Sequence, residues 1–153
     1  MALHGIDMPL ALEGQESVWR RLWASMGLGV DELDAYFCGA PFLPWQRMGN
    51  IEGYGRLPVE WIGKKQRLQQ RILARARELG MTPILPGFAG YVPKALASRH
   101  PKARLHTMTP WGGFRETCWL DPTDPLFTDI LLCGALGNCH DLVDLGCGQG
   151  LLA

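Results

Sequence analysis

Glu13 and Glu16 stand three residues apart where a short apolar run gives way to a helical pattern. Two carboxyl groups about 5 to 5.5 Å apart can act as acid/base and nucleophile in displacement at an acetal carbon. At a strand-to-helix turn, however, Glu16 is better placed to complement a helix N-terminus, so this pair is not read as catalytic. Trp45 and Trp111 fall on loops, where an indole face can stack on the apolar C–H face of a pyranose and keep its N–H for a hydroxyl or water. Their structural alternative is packing beneath their own loops. The amides of Gln15 and Asn50 each lie beside a glycine and suit sugar hydroxyls. For Asn50 the competing role is a hydrogen bond that closes its loop. Five cysteines (Cys38, Cys118, Cys133, Cys139, Cys147) are odd in number and include no C-x-x-C pair, which argues against a disulfide framework and a tetrahedral zinc site. No metal is expected.

The elements that must hold these residues alternate. Gly5 to Leu12 reads as a strand despite Pro9, and Gln15 to Met26 as a helix with Val18, Trp19, Leu22, Trp23 and Met26 at helical spacing, stopped at Gly27. Val30 to Phe37 fits a second helix, opened by Asp31 and Glu32. Ala40 to Tyr54 is expected to be a long loop. From about Val59 to Leu79 an apolar stripe including Trp61, Ile62, Leu68, Ile72 and Leu73 marks a long helix capped by Gly80. The basic residues on its other face (Lys64, Lys65, Arg67, Arg71, Arg75, Arg77) are read as a solvated surface. Met81 to Leu85 is a buried strand, Pro86 to Pro93 a loop, and about Pro93 to Ser98 helical. Arg104 to Met108 is a third strand, Thr109 to Thr117 a Gly-rich loop, Pro125 to Leu136 a helix N-capped by Asp124, and Asp141 to Leu145 a final strand.

Alternating strands and helices imply parallel strands joined by right-handed crossovers, in a doubly wound sheet or a (β/α)8 barrel. The loops after the strands would then converge on the carboxyl end of the sheet. A complete barrel takes about 250 residues, and this chain has 153, so a barrel here would be partial, with unpaired strand edges and uncovered inner side chains. Fifteen basic and fifteen acidic residues give no global field for a phosphate backbone, so nucleic acid is a poor default partner. The longest nearly uncharged stretch, Pro125 to Asn138, contains Asp129 and is too short for a bilayer span. Met1 leads into His4, Gly5 and Asp7 with no pattern of a secretory leader, and the sequence assigns no compartment.

PFLPWQRMGN (Pro41 to Asn50), with GIDMPLALEGQESVW before it and GMTPILPGFAGYVPKA, TPWGGF and LDPTDPLF after it, resembles the family of alpha-N-acetylglucosaminidases over about residues 1–130. The resemblance implies an α/β fold, a partial (β/α)8 TIM-type barrel incomplete at both ends, over residues 1–132. It also implies a retaining exo-glycoside hydrolase acting on terminal alpha-linked N-acetylglucosamine, without metal or cofactor. Its partner in the intact enzyme is an N-acetylglucosamine-containing glycan. On that resemblance Trp45 and Trp111 match tryptophans lining the pocket for the terminal sugar, and Asn50, Gln15 and Tyr91 join the substrate-binding set. Tyr91, in GFAGYV, stands where relatives often carry histidine. The family's acid/base glutamate sits in an F-N-E motif that does not occur here, and its nucleophile lies further on, so the chain alone is expected to be inactive.

The tail, residues 133–153, reads differently. DLVDLGCGQGLLA resembles the first motif of class I S-adenosylmethionine-dependent methyltransferases, where a strand ending in an acid enters a glycine loop that passes close to the cofactor. Asp144, Gly146, Gly148 and Gly150 fill those places, and would bind cofactor only if a methyltransferase reading holds for the whole chain. A methyltransferase fragment and a non-catalytic carbohydrate-binding piece are therefore the alternatives.

Overall fold

The computed structural model describes residues 2–136. The expected strand at 141–145 and the glycine motif with Asp144, Gly146, Gly148 and Gly150 lie outside the described residues.

Helix α1 (Gln15–Ser25) and helix α2 (Val30–Tyr36) form where the apolar spacing predicts them. The segment expected to be one long loop contains a short 3-10 turn (Ala40–Phe42) and helix α3 (Leu43–Arg47). Pro44 near the start of α3 is compatible with a helix, because the amide it lacks has no intrahelical partner in a first turn. Helix α4 (Val59–Glu78) buries Ile62, Gln69, Leu73 and Ala76. Its end is closed by Gly80 in the left-handed conformation that glycine adopts without steric cost. The Met81 N–H returns to the Ala76 carbonyl at 3.0 Å.

The first two expected strands appear as extended segments that meet at one parallel bridge, Leu10 to Ile84. Around it the Thr82 N–H donates to Asp7 O (2.7 Å), Ile84 N–H to Pro9 O (2.9 Å) and Ala11 N–H to Ile84 O (2.8 Å). Pro9 and Pro83 supply no N–H, which limits both to a short ladder. With α4 between them, the pair makes the parallel crossover unit inferred from the sequence.

The third expected strand forms, but antiparallel and not parallel. Strand β2 (Leu105–Met108) pairs antiparallel with β3 (Thr117–Leu120), a strand the sequence reading did not anticipate, and β3 pairs antiparallel with β1 (Tyr91–Val92) on its other side, in the order β1-β3-β2. Only 109–116 separates β2 from β3. That suffices for a hairpin, while a parallel crossover takes a dozen or more residues. Helix α5 (Leu96–Arg99) follows β1, and α6 (Pro125–Leu136) ends the described chain. Asp124 caps α6 as expected, its Oδ1 accepting from Leu126 N–H at 2.9 Å. Its Oδ2 accepts from Arg104 N–H at 2.8 Å. The main core joins α1, α2, the antiparallel sheet and α6 through Trp23, Leu33, Phe37, Val92, Leu96 and Ile130. A smaller cluster sets Ala11 against Leu73 of α4.

Candidate functional site

Helix α3 is the element on which the site depends. Gln46 is buried and bonds twice to the end of α2 and the chain just beyond it, donating to Tyr36 O and accepting from Cys38 N–H, each at 2.7 Å. Arg47 grips Glu16 on α1 through Nε to Oε1 (2.6 Å) and NH2 to Oε2 (3.1 Å), with Glu13 at 3.8 Å. Burial alone would lower the Arg47 pKa, but the bond to Glu16 and the charges of Glu16 and Glu13 raise it. The Glu13 carboxylate also meets Lys65 of α4 at 2.8 Å. The two glutamates thus serve a shared cation. Glu16 does lie in the first turn of α1 as expected, and its bidentate pairing is the further role that sequence reasoning missed.

With Gln46 and Arg47 held, α3 leaves Trp45 exposed at 39%, its ring centroid 6.4 Å from that of Trp111, which is 46% exposed. Trp111 stacks on Phe114 at 5.9 Å and 9°, and Phe114 meets Tyr54 edge-on at 4.7 Å. The Arg115 guanidinium lies over the Tyr54 ring, and the Arg115 N–H donates to the Tyr54 hydroxyl at 3.0 Å. Helix α3 and the 109–116 loop, far apart in sequence, thereby present one aromatic strip.

The other expected residues divide. Gln15 and Tyr91 line a cavity of about 150 Å³ together with Tyr36, Gln46, Arg47 and Phe88. It lies where the chain leaves the two parallel-paired segments. The Gln15 amide donates to Leu12 O at 3.0 Å, closing its own turn, and the Tyr91 hydroxyl donates to Ile51 O at 3.1 Å. Asn50 closes its loop with its main chain, N–H to Trp45 O at 3.0 Å, and not with the side-chain amide. The turn before it requires glycine. Gly49 has a left-handed backbone, and an added Cβ would collide with the Trp119 ring. Thr117 Oγ1 donates to Gly49 O (2.8 Å) and accepts from Trp119 Nε1 (3.1 Å), so β3 clamps this loop.

Glu52 is a residue that sequence reasoning did not single out. One carboxyl oxygen, Oε2, is buried with no hydrogen-bond partner. Burial pushes the pKa up to about 7, although Lys94, Tyr91 and Arg115 pull it the other way. Burial foremost, then the charge of Glu52 among others, also raises the Tyr36 and Tyr91 hydroxyls and the Cys38 and Cys118 thiols. The signal for it was an acidic side chain inside the glycine-rich turn MGNIEGYG. Among the described residues no group of three or more His, Cys, Asp or Glu is arranged to hold a metal ion.

A parallel strand-helix-strand unit with exposed aromatic side chains and a cavity beyond its strands has the layout of part of an α/β barrel enzyme. The sequence profile of the alpha-N-acetylglucosaminidase (NAGLU) TIM-barrel domain matches residues 1–132. Human alpha-N-acetylglucosaminidase is 43% identical over 135 residues, covering 85% of this chain and 18% of the human protein. This chain belongs to the alpha-N-acetylglucosaminidase family. Its fold is shared with a family 89 glycoside hydrolase from Clostridium perfringens, solved with 2-acetamido-1,2-dideoxynojirmycin and, as a variant, with its substrate GlcNAc-alpha-1,4-galactose. Each superposes with a TM-score of 0.79 at 23% identity, over 92% of this chain and 16% of the bacterial one. The chain therefore spans less than a fifth of these relatives. The comparisons give no support to a methyltransferase reading of the tail.

Proposed function

We propose that residues 1–132 are part of a (β/α)8 barrel and build one wall of the sugar pocket of a retaining exo-hydrolase for terminal alpha-linked N-acetylglucosamine. Residues 133–153 form a segment outside that barrel pattern. The observation that carries the reading is the exposed indole pair, Trp45 on helix α3 and Trp111 on a loop 66 positions further on, brought together and backed by Phe114. With centroids 6.4 Å apart the rings leave no room for a sugar between them, so a pyranose would lie across their outer faces. The Asn50, Gln15 and Tyr91 polar groups are assigned to hydroxyl and acetamido recognition, with Gln15 and Tyr91 in a cavity that neither tryptophan lines. The human relative's name and the substrate of the bacterial enzyme support the choice of sugar.

In this reading the two carboxylates for double displacement come from outside this chain. Glu13 and Glu16 are committed to Arg47, and Glu52, whose raised pKa would suit an acid, is one carboxyl where two are needed. Without a general acid the leaving oxygen is not protonated, and without a nucleophile no glycosyl intermediate forms. The purified chain is expected to bind N-acetylglucosamine weakly, with binding lost in Trp45→Ala and in Trp111→Ala, and to release nothing from an aryl alpha-N-acetylglucosaminide. Heteronuclear NMR titration with the free sugar reads the first expectation and a chromogenic assay the second. Unchanged binding in both alanine variants would defeat the site, and turnover by the 153-residue chain would defeat the division of labour.

A further inference from the structure

The chain entering β2 lines a cavity that the sugar site does not use. Arg99, His100, Lys102 and Arg104, the basic residues of RHPKAR, surround it with Asp124 from the start of α6, and Ala103 and Leu126 give it an apolar lining. Its volume is about 570 Å³, within the roughly 300 to 1,000 Å³ of small-molecule sites. Residues 99–104 precede β2 and Trp111 follows it, so ~13 Å of strand separates this cavity from the aromatic strip. The acids around it are already engaged. Asp124 accepts from Leu126 N–H and Arg104 N–H, and Asp121 holds Thr123 and the His106 ring. Glu32 takes Arg99, whose Nε also donates to Gly27 O at 3.0 Å. Two cations remain. The Lys102 ammonium is exposed, with no hydrogen bond or ion pair among the described residues. The Arg104 guanidinium comes no nearer to Asp124 than 3.6 Å, too far for a hydrogen bond. Its main chain is pinned at both sides, N–H to Asp124 Oδ2 and carbonyl to Asp121 N–H, so the guanidinium is carried on a fixed base.

We propose that this cavity binds a small phosphate monoester, its oxyanion held by Lys102 and Arg104 and its apolar body set against Ala103 and Leu126. A phosphate monoester carries about 1.5 to 2 negative charges at pH 7, which matches two cations without a partner. The guanidinium fork suits two of its oxygens and the ammonium a third. The amides at the start of α6 are not the donors, because Asp124 already takes those of Leu126 and Phe127 through its side chain and its carbonyl. The apolar lining favours an ester over the free ion, since inorganic phosphate has nothing to place there. This site is independent of the sugar reading.

Heteronuclear NMR titration of the chain with phenyl phosphate at pH 7 is the test. Saturable shifts should appear at the amides of His100, Lys102, Ala103, Arg104 and Leu126, and binding should weaken as salt rises from about 50 to about 300 mM. Lys102→Gln with Arg104→Gln should weaken it by roughly tenfold or more, because both charge-assisted contacts are lost. Both side chains are exposed, and the bond from residue 104 to Asp124 is made by the main chain, so the double variant keeps the fold. Inorganic phosphate should bind several-fold more weakly than the ester. Absence of saturable shifts at these amides would overturn the proposal. So would shifts confined to the Trp45 and Trp111 strip, where a phenyl ring can stack, equal binding of inorganic phosphate, or unchanged affinity in the double variant. Vesicles containing phosphatidic acid present the same oxyanion on a bilayer. Their capture by the chain without binding of phenyl phosphate would overturn a small soluble ligand in favour of a lipid headgroup.

Discussion

Glu52 makes stability depend on pH in a direction opposite to that of most carboxylates. Its pKa in the folded chain is pushed up to about 7 by burial, against an ordinary value of 4.5. The folded state therefore holds the proton more tightly than the unfolded one. The resulting stabilisation is fully present below pH 4.5 and disappears as the pH rises through about 7. At about 1.36 kcal/mol per unit, a shift of two and a half units corresponds to at most about 3 kcal/mol between pH 4.5 and 8, a large share of the roughly 5 to 15 kcal/mol that holds a domain together. Glu52→Gln keeps the shape and the acceptor but cannot ionise. Urea unfolding of both proteins at pH 5 and pH 8, followed by far-UV circular dichroism, isolates the residue, because every other titrating group cancels in the difference. The variant should lose less stability than the parent on going to pH 8, by up to about 3 kcal/mol. Identical pH dependence in the two proteins would refute the raised carboxyl pKa at this position.

Arg47→Met leaves the Glu16 carboxylate, 3% exposed, without its bidentate partner. The loss should be about 3 to 5 kcal/mol by thermal or urea unfolding. Pairing it with Glu16→Gln should restore part of that loss, and equal losses in the single and double variants would contradict the pairing. Gly49→Ala forces a left-handed φ and a collision with Trp119, an expected penalty of about 2 to 4 kcal/mol. The same unfolding curves measure it, and a neutral effect would show that the β3 clamp is loose. Asp124→Ala frees the amides of Leu126 and Arg104, and should lower the melting temperature and fray the start of α6, with faster exchange at Leu126 as the readout.

Much of the helical content was legible because three helices carry their own stop or start: Gly27 after α1, Gly80 after α4, Asp124 before α6. The parallel pairing of 7–11 with 82–84 was legible as well, since an intervening helix leaves little alternative to a crossover. The antiparallel sheet was not. Thr117 to Leu120 is too short to show a period of its own, and its partner β2 has one half-buried residue followed by three exposed ones. Only the eight-residue separation points to a hairpin, and its glycines have the pattern of a plain loop. In the site, aromatic side chains among glycines and prolines single out Trp45 and Trp111, although Trp45 falls on helix α3 and not on the expected loop. The charges of Glu16 and Arg47, 31 positions apart, and the burial of Glu52 under Tyr91 and Lys94 are products of tertiary packing, which no local pattern encodes.

The six tryptophans sort into optical classes. Trp23, fully enclosed and stacked on Trp19, should emit at short wavelength and register only loss of the core. Trp45 and Trp111, in contact with water, should dominate the red edge and be the first reached by iodide or acrylamide. Excitation at the red edge with a soluble quencher can therefore follow events at the aromatic strip in the native chain without a label.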